Sequence, residues 1–389
     1  LIFYIKQSAL VPAFAANCYG EIGPAPKRCV ALAGWVGMTP EDVLIPARTT
    51  ERADLITEQK EEAAAVEIGL NAAIVSIIGG EPQILTVSSL APGSLPALPF
   101  GLFTPLKHRT LEIGLRDWVR DQTGVDLGYV EQLYTFGDRG RHARPGDEGL
   151  HVVSIGYLAL TRNEEAPRSS GVKWNAWYAH LPWEDWRNGK PQILTQEIEP
   201  RLEEWAAQPE TAGAPRRPLA RMDRLRMCFG QSVPWDDEKV LDRYELMYEA
   251  GIVAEAARDG RAAAKQWSGL PRLGRQMMFD HRRIMATAMS RLRGKLKYRP
   301  VIFELMPETF TLFDLQRVVE AILGSYLHKQ NFRRLVENAG LVEPTGQTAA
   351  RTGGRPARVY RFRRNVLLER PAPGFRVKVQ NVVRTTPTC

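Results

Sequence analysis

The sequence predicts an α/β chain in two folded parts: a mixed sheet between helices, then, beyond a helical linker, an α+β helix-turn-helix module with a β-hairpin wing. Three observations carry that prediction. An apolar run over 66–78 turns at Gly79-Gly80 and returns over 83–87 as a hairpin. A helix-period stretch over 111–123 follows it and precedes two further β-rich runs, 129–136 and 151–160. Towards the carboxyl end, two short amphipathic helices lead into a Gly- and Arg-rich loop and an alternating strand.

Composition sets the frame for these elements. At 389 residues the chain exceeds one ordinary core, so two or three domains are expected. With 44% hydrophobic and 25% charged residues it is globular, which excludes a wholly disordered chain. Lys+Arg 52 against Asp+Glu 44 leaves a net charge of +8, which suits an acidic partner such as nucleic acid without requiring one. Cys18, Cys29, Cys228 and Cys389 lie far apart with no CxxC pair, so neither a disulfide framework nor a zinc site is suggested and a reducing cytoplasm fits. No apolar run of about 18 residues is available to span a bilayer. Residues 1–16 are mildly apolar and Ala13-Phe14-Ala15 imitates a cleavage site, but no basic stretch precedes it. Export is not expected, and the start without Met fits an upstream leader or a truncated reading frame.

Residues 1–65 lack sustained periodicity and read as a poorly ordered arm. In 111–123, Leu111, Leu115, Trp118 and Val119 share one helix face, and Gly124 is placed to end it in a left-handed turn. The Trp-rich stretch holding Trp174, Trp177, Trp183, Trp186 and Trp205 extends this core, giving a first domain over 66–235. A linker over 236–299 follows. Its first helix, 236–257, carries seven Asp/Glu against Lys239 and Arg243 and reads as a solvated outer face. Its second, 272–299, reverses the charge, with nine Lys/Arg and Asp280 as the only acid; phosphate contacts and packing through Ile284, Met285, Met289 and Leu292 are both open.

The module over 300–370 opens with Thr311 and Asp314 in a capping-box arrangement. Leu312, Leu315, Val318, Val319 and Ile322 form the buried stripe of its first helix, and Gly324 closes it. A second helix over about 329–338 turns Phe332, Leu335 and Val336 inward and ends before Gly340. The wing is expected as a loop over 343–356 and a strand through 359–363, with a tail over 371–389. Between 325 and 364 nine Lys/Arg face two acids, Glu337 and Glu343, a density suited to phosphates. Lys329, Gln330, Asn331, Arg333 and Arg334 crowd the amino-terminal part of the second helix, the end that reaches base edges in a major groove. Arg can grip guanine bidentately, and Asn or Gln adenine. Arg351, Arg355 and Arg358 on the wing suit phosphates or a minor groove.

The stretch LEIGLRDWVRDQTG (111–124) resembles the helix of a Nudix domain, whose box reads G-x5-E-x7-R-E-U-x-E-E-x-G-U. Anchored on Gly124, the adjacent glutamates fall on Asp121 and Gln122, the earlier glutamate on Trp118, its arginine on Asp117, and the upstream glutamate on Arg109. Hard divalent cations need clustered oxygen ligands, so this set disfavours a catalytic metal site. The segments QLYTFGDRGR (132–141) and VVSIGYLAL (152–160), followed by FELMP (303–307), FTLFDLQ (310–316), NFRR (331–334) and GRPARVYRF (354–362), resemble Nudix-related transcriptional regulators. Among these the chain is most similar to the alphaproteobacterial regulators of NAD metabolism, whose box is similarly degraded and whose middle region is longer. The resemblance implies an α/β Nudix-like sandwich joined to a winged helix, in a cytoplasmic repressor that senses an adenine nucleotide such as NAD, ADP-ribose or ATP and holds a double-stranded operator as a homodimer.

Under that resemblance no catalytic residue, metal or cofactor is assigned. The effector's contacts are expected at Arg139, Arg141 and His142, spaced by Gly137 and Gly140, with Tyr134 or Phe136 stacking on adenine. The alternative is a surface loop in which Asp138 and Asp147 balance the arginines. Two other functions compete: a Nudix-type hydrolase of nucleoside diphosphate derivatives, and a protein-interaction scaffold. His108, His151, His180, His281 and His328 are scattered and suggest no metal site.

Overall fold

The computed structural model describes residues 66–89, 91, 93–138, 151–162, 169–209, 218–349 and 356–365. The expected amino-terminal arm (1–65) and tail (371–389) lie outside them. Chain order is β1 (Val66–Ile78), β2 (Glu81–Val87), β3 (Phe100–Leu102), α1 (Leu111–Thr123), β4 (Tyr129–Phe136), β5 (His151–Leu160), β6 (Val172–Ala176), α2 (Glu199–Ala207), α3 (Arg221–Phe229), α4 (Val240–Glu249), α5 (Ala254–Arg258) and α6 (His281–Leu296). The carboxyl module adds β7 (Thr309–Thr311), α7 (Leu312–Leu323), α8 (Lys329–Ala339), β8 (Val342–Ala349) and β9 (Ala357–Phe362).

The first sheet has the order β4-β5-β1-β2-β6, with β3 also on β1. It is mixed, because β1 runs parallel to β5 from Val66↔His151 to Val75↔Leu160 while the other pairs are antiparallel. Thirteen residues let β1 serve two partners along its other side, β3 at Gly69–Asn71 and β2 at Val75–Ile78. The pleat divides the core: Leu70, Ala72 and Ile74 pack with Leu115 and Val119 of α1, whereas Ala73, Val75 and Ile77 join Ile284 and Met285 of α6 on the opposite face. The mixed sheet between helices is therefore borne out. Trp177, Trp183 and Trp205 are buried on the α6 side, so the Trp-rich stretch extends that core.

Two expectations for the linker change. The acidic helix is interrupted: Gly251, in the left-handed conformation at φ 77, separates α4 from α5. It is also no solvated face, since Asp237, Arg243, Tyr244 and Glu255 are buried. The basic helix spans only residues 281–296, and two of its arginines look inward: Arg282 is 1% and Arg293 0% exposed, each held by a buried acid rather than left for phosphates. In the carboxyl module, β8 runs through much of the expected wing loop, and β7, too short to announce itself in sequence, completes a sheet of order β7-β9-β8. No helix among the described residues is long and apolar enough to cross a membrane.

Candidate nucleic-acid interface and effector site

The capping box that starts α7 forms as expected. The Thr311 hydroxyl accepts from the Asp314 N–H at 3.2 Å, and the Asp314 carboxylate accepts from the Thr311 N–H at 3.1 Å. At the far end Gly324 lies at φ 71, and a Cβ there would come within 2.3 Å of the Glu184 carbonyl oxygen, so only glycine fits. On α8, Phe332 and Val336 are buried one turn apart, which turns Lys329, Gln330, Asn331, Arg333 and Arg334 outward to solvent. Among the described residues no ion pair engages Lys329, Arg333 or Arg334, whereas Arg361 pairs with Glu343 at 2.6 Å and Arg363 donates to the Gly340 carbonyl at 3.0 Å. Within the carboxyl module, α8 thus presents three cations without an ion pair. Arg358 is exposed on β9, and Arg351 and Arg355 lie outside the described residues.

The box positions on α1 have taken up structural work. Trp118, in place of a glutamate, donates from Nε1 to the Leu102 carbonyl at 2.9 Å and lays its indole over Gly101, where a Cβ would sit 2.2 Å from the ring. Gln122, in place of another, brackets Phe100: Oε1 accepts from its N–H at 3.2 Å and Nε2 donates to its carbonyl at 2.5 Å. Both side chains staple β3. Asp117 and Asp121 line a cleft of about 340 Å³ together with Lys107 and His108. His108 Nε2 lies 3.9 Å and the Arg120 guanidinium 4.0 Å from the Asp117 carboxylate, so that carboxylate already has side-chain partners. Among the described residues no group of three or more His, Cys, Asp or Glu is arranged to hold a metal ion. The donor set does not fit the divalent metal of Nudix chemistry, and no step is derived through one.

The expected effector residues are only partly described. Tyr134 is 44% exposed, but Phe136 is 1% exposed, its ring beneath the Arg283 guanidinium at 4.9 Å. An adenine could stack on Phe136 only by displacing Arg283. Arg139, Arg141 and His142 lie outside the described residues. The loop's stem is anchored: Arg283 of α6 pairs with Asp138 at 2.5 Å, with Asp280 at 3.1 Å and with Glu245.

Sequence reasoning missed a buried ionic clamp at the carboxyl end of α7. Glu184, Arg243 and Arg293 are fully buried; Glu184 meets both guanidiniums at 2.7 Å. Arg293 also donates from Nε to the Ile322 carbonyl at 2.9 Å, Tyr178 donates to the Ala321 carbonyl at 2.7 Å, and the Trp186 N–H donates to the Gly324 carbonyl at 2.6 Å. Burial pulls the Glu184 carboxyl upward, but Arg243 and Arg293 outweigh it and hold it below its ordinary value. Nearby, burial pushes His180 down to about 4, and its Nδ1 lies 3.0 Å from the Arg275 carbonyl. Nothing in the local sequence marks these residues, because their partners lie up to 144 positions away.

Against this geometry stand the comparisons with known proteins. Residues 302–362 match the NrtR DNA-binding winged helix domain. The curated ADPR responsive transcriptional repressor NtrR of Acinetobacter baylyi is 43% identical over 86 residues, covering 22% of this chain and 34% of that protein. The match thus spans about a third of the relative's length. Among solved structures, Shewanella oneidensis NrtR superposes at TM-score 0.44 with 20% identity, over 77% of this chain and 94% of its own. A MutT/nudix family protein from Enterococcus faecalis gives 0.45 with 15% identity, over 81% and 95%. The NrtR winged-helix match takes in α7, α8 and both wing strands, and supports the resemblance to Nudix-related regulators read from the sequence.

Proposed function

We propose that this chain is a DNA-binding transcriptional repressor of NAD-metabolism genes that answers to an adenine nucleotide and acts in the cytoplasm as a homodimer. The observation that carries this reading is the NrtR-type winged helix with an outward α8 face of Lys329, Gln330, Asn331, Arg333 and Arg334. Arg351, Arg355 and Arg358 on the wing would add contacts to the DNA backbone. Similarity to the ADPR responsive repressor of A. baylyi favours ADP-ribose as the effector, ahead of NAD and ATP. Effector contacts are assigned to Tyr134, Arg139, Arg141 and His142, on a loop whose stem reaches α6 through Asp138 and Arg283. Phe136 supports that stem from beneath.

Hydrolysis is not part of the proposed function, because Trp118 and Gln122 are tied to β3 and cannot serve as metal ligands. The domain division 66–235, 236–299 and 300–370 is retained as a description of sensing, linking and DNA-holding parts.

A gel-shift titration with a palindromic promoter duplex, run at stated salt with and without ADP-ribose, NAD and ATP, tests the proposal. The expected result is a specific shift whose midpoint moves with one of these nucleotides. Rapid turnover of ADP-ribose in magnesium with no shift of any promoter duplex would instead establish the hydrolase.

A further inference from the structure

The molecule has a second cleft, about 640 Å³, between the β2–β6 edge and the segment 270–276. Its lining carries Lys173, Arg272, Arg275 and Arg282 and not one Asp or Glu. Arg282 is buried and its charge is answered by Glu255 at 2.6 Å, although its Nε finds no partner. The other three are exposed, and among the described residues no ion pair engages them.

Backbone structure holds these like charges together. Lys173 is fixed by register opposite Thr86, and Arg275 is fastened by its N–H to the Ala179 carbonyl at 2.7 Å. The polar groups between them are also ordered: Asn175 donates to the Thr86 hydroxyl at 2.6 Å and accepts from Arg275 Nη1 at 3.1 Å. Leu95, Pro96, Leu270 and Pro271 form an apolar wall beside this cationic end. Three cations lining one cleft with no acid among its lining repel one another, and an anion bridging them removes that repulsion while forming charge-assisted hydrogen bonds. A volume within the usual range for small-molecule sites exceeds what one phosphate fills, and the apolar wall offers a surface for a flat base.

We propose that this cleft binds a nucleoside diphosphate-type anion, with Lys173, Arg272 and Arg275 on the pyrophosphate and the proline-rich wall against the nucleoside. Its lining shares no residue with the α1 cleft, and its existence does not depend on the DNA-binding reading.

Calorimetric titration of the full chain with ADP, inorganic pyrophosphate and adenosine tests it. ADP should bind best and adenosine worst, with ADP affinity falling as salt rises. Lys173→Ala and Arg272→Ala, both at exposed side chains, should each weaken ADP binding about tenfold with unchanged thermal melting. Lys107→Ala in the α1 cleft should leave ADP binding as it was. The proposal is overturned if wild type does not bind ADP, if ADP affinity survives Lys173→Ala and Arg272→Ala, or if Lys107→Ala abolishes it. It is equally overturned if the two cleft substitutions weaken only a DNA duplex, which would make the cleft a seat for backbone phosphates.

Discussion

At the scale of single residues, the α8 face is a set of side chains that helix geometry leaves exposed, and its members differ in what they can read. Arg333→Ala and Asn331→Ala are expected to cost about 1–3 kcal/mol of operator discrimination each, while Arg358→Ala weakens operator and random duplex alike. Parallel titrations on the two duplexes measure the difference, and equal losses for all three variants would refute α8 as the reading helix. These residues were legible in the sequence because buried Phe332 and Val336 fix which face looks out. His180 was not: its partners, Arg275 and Arg282, are more than 90 positions away. Its folded-state pKa, about 4, lies below the ordinary 6.5, so between those values the unfolded chain binds the extra proton. His180 therefore contributes full stability above pH 6.5 and loses about 3 kcal/mol as the pH falls towards 4. Urea unfolding of wild type against His180→Gln should show a flatter acid limb in the variant; parallel limbs would remove His180 as the cause.

Elements repeat the same division between local and distant causes. The hairpin at Gly79-Gly80, α1 with its Gly124 stop, and the capping box of α7 follow from turn and cap chemistry, and each stands where the pattern put it. The linker helices did not follow, because charge alone cannot show whether an arginine meets water or a buried acid. Nine basic residues over 272–299 left phosphate contacts and packing through the apolar stripe both open; Ile284, Met285, Met289 and Leu292 are buried, and Arg282, Arg283 and Arg293 are committed to Glu255, Asp138 with Glu245, and Glu184. These pairs give α6 a mechanical place. Its sixteen residues span roughly 24 Å at 1.5 Å each, with Arg283 holding the stem of the 134–142 loop at one end and Arg293 holding the last turn of α7 near the other. Arg293→Met removes one of the two guanidiniums on the Glu184 carboxylate and takes the donor from the Ile322 and Asp237 carbonyls, and breaking a buried pair costs about 3–5 kcal/mol. We expect a fall of that size in unfolding free energy, and Glu184→Gln in the same background should deepen it, because the buried Arg243 then loses its acid. A variant as stable as wild type would mean that the clamp holds nothing.

For the whole molecule, the clamp decides how a signal can travel. The winged helix is not hung on a flexible tether: Tyr178, Trp186 and Arg293 grip the end of α7, and one continuous apolar cluster runs from Val75 in the sheet to Phe332 and Val336 in α8. Tryptophan fluorescence and far-UV circular dichroism should therefore report one coincident unfolding transition in urea. With little freedom inside the subunit, the effector response proposed for the homodimer is a small rotation of one subunit against the other, which would spoil simultaneous docking on two half-sites. Such a device is sensitive to the phase of the DNA and not only to its sequence. Inserting about 5 base pairs between operator half-sites places them on opposite faces of the duplex and should abolish the specific shift, whereas about 10 base pairs restores the face and should return much of the binding. Gel shifts on the three duplexes measure this directly, and equal affinity for all of them would refute paired docking by a rigid dimer.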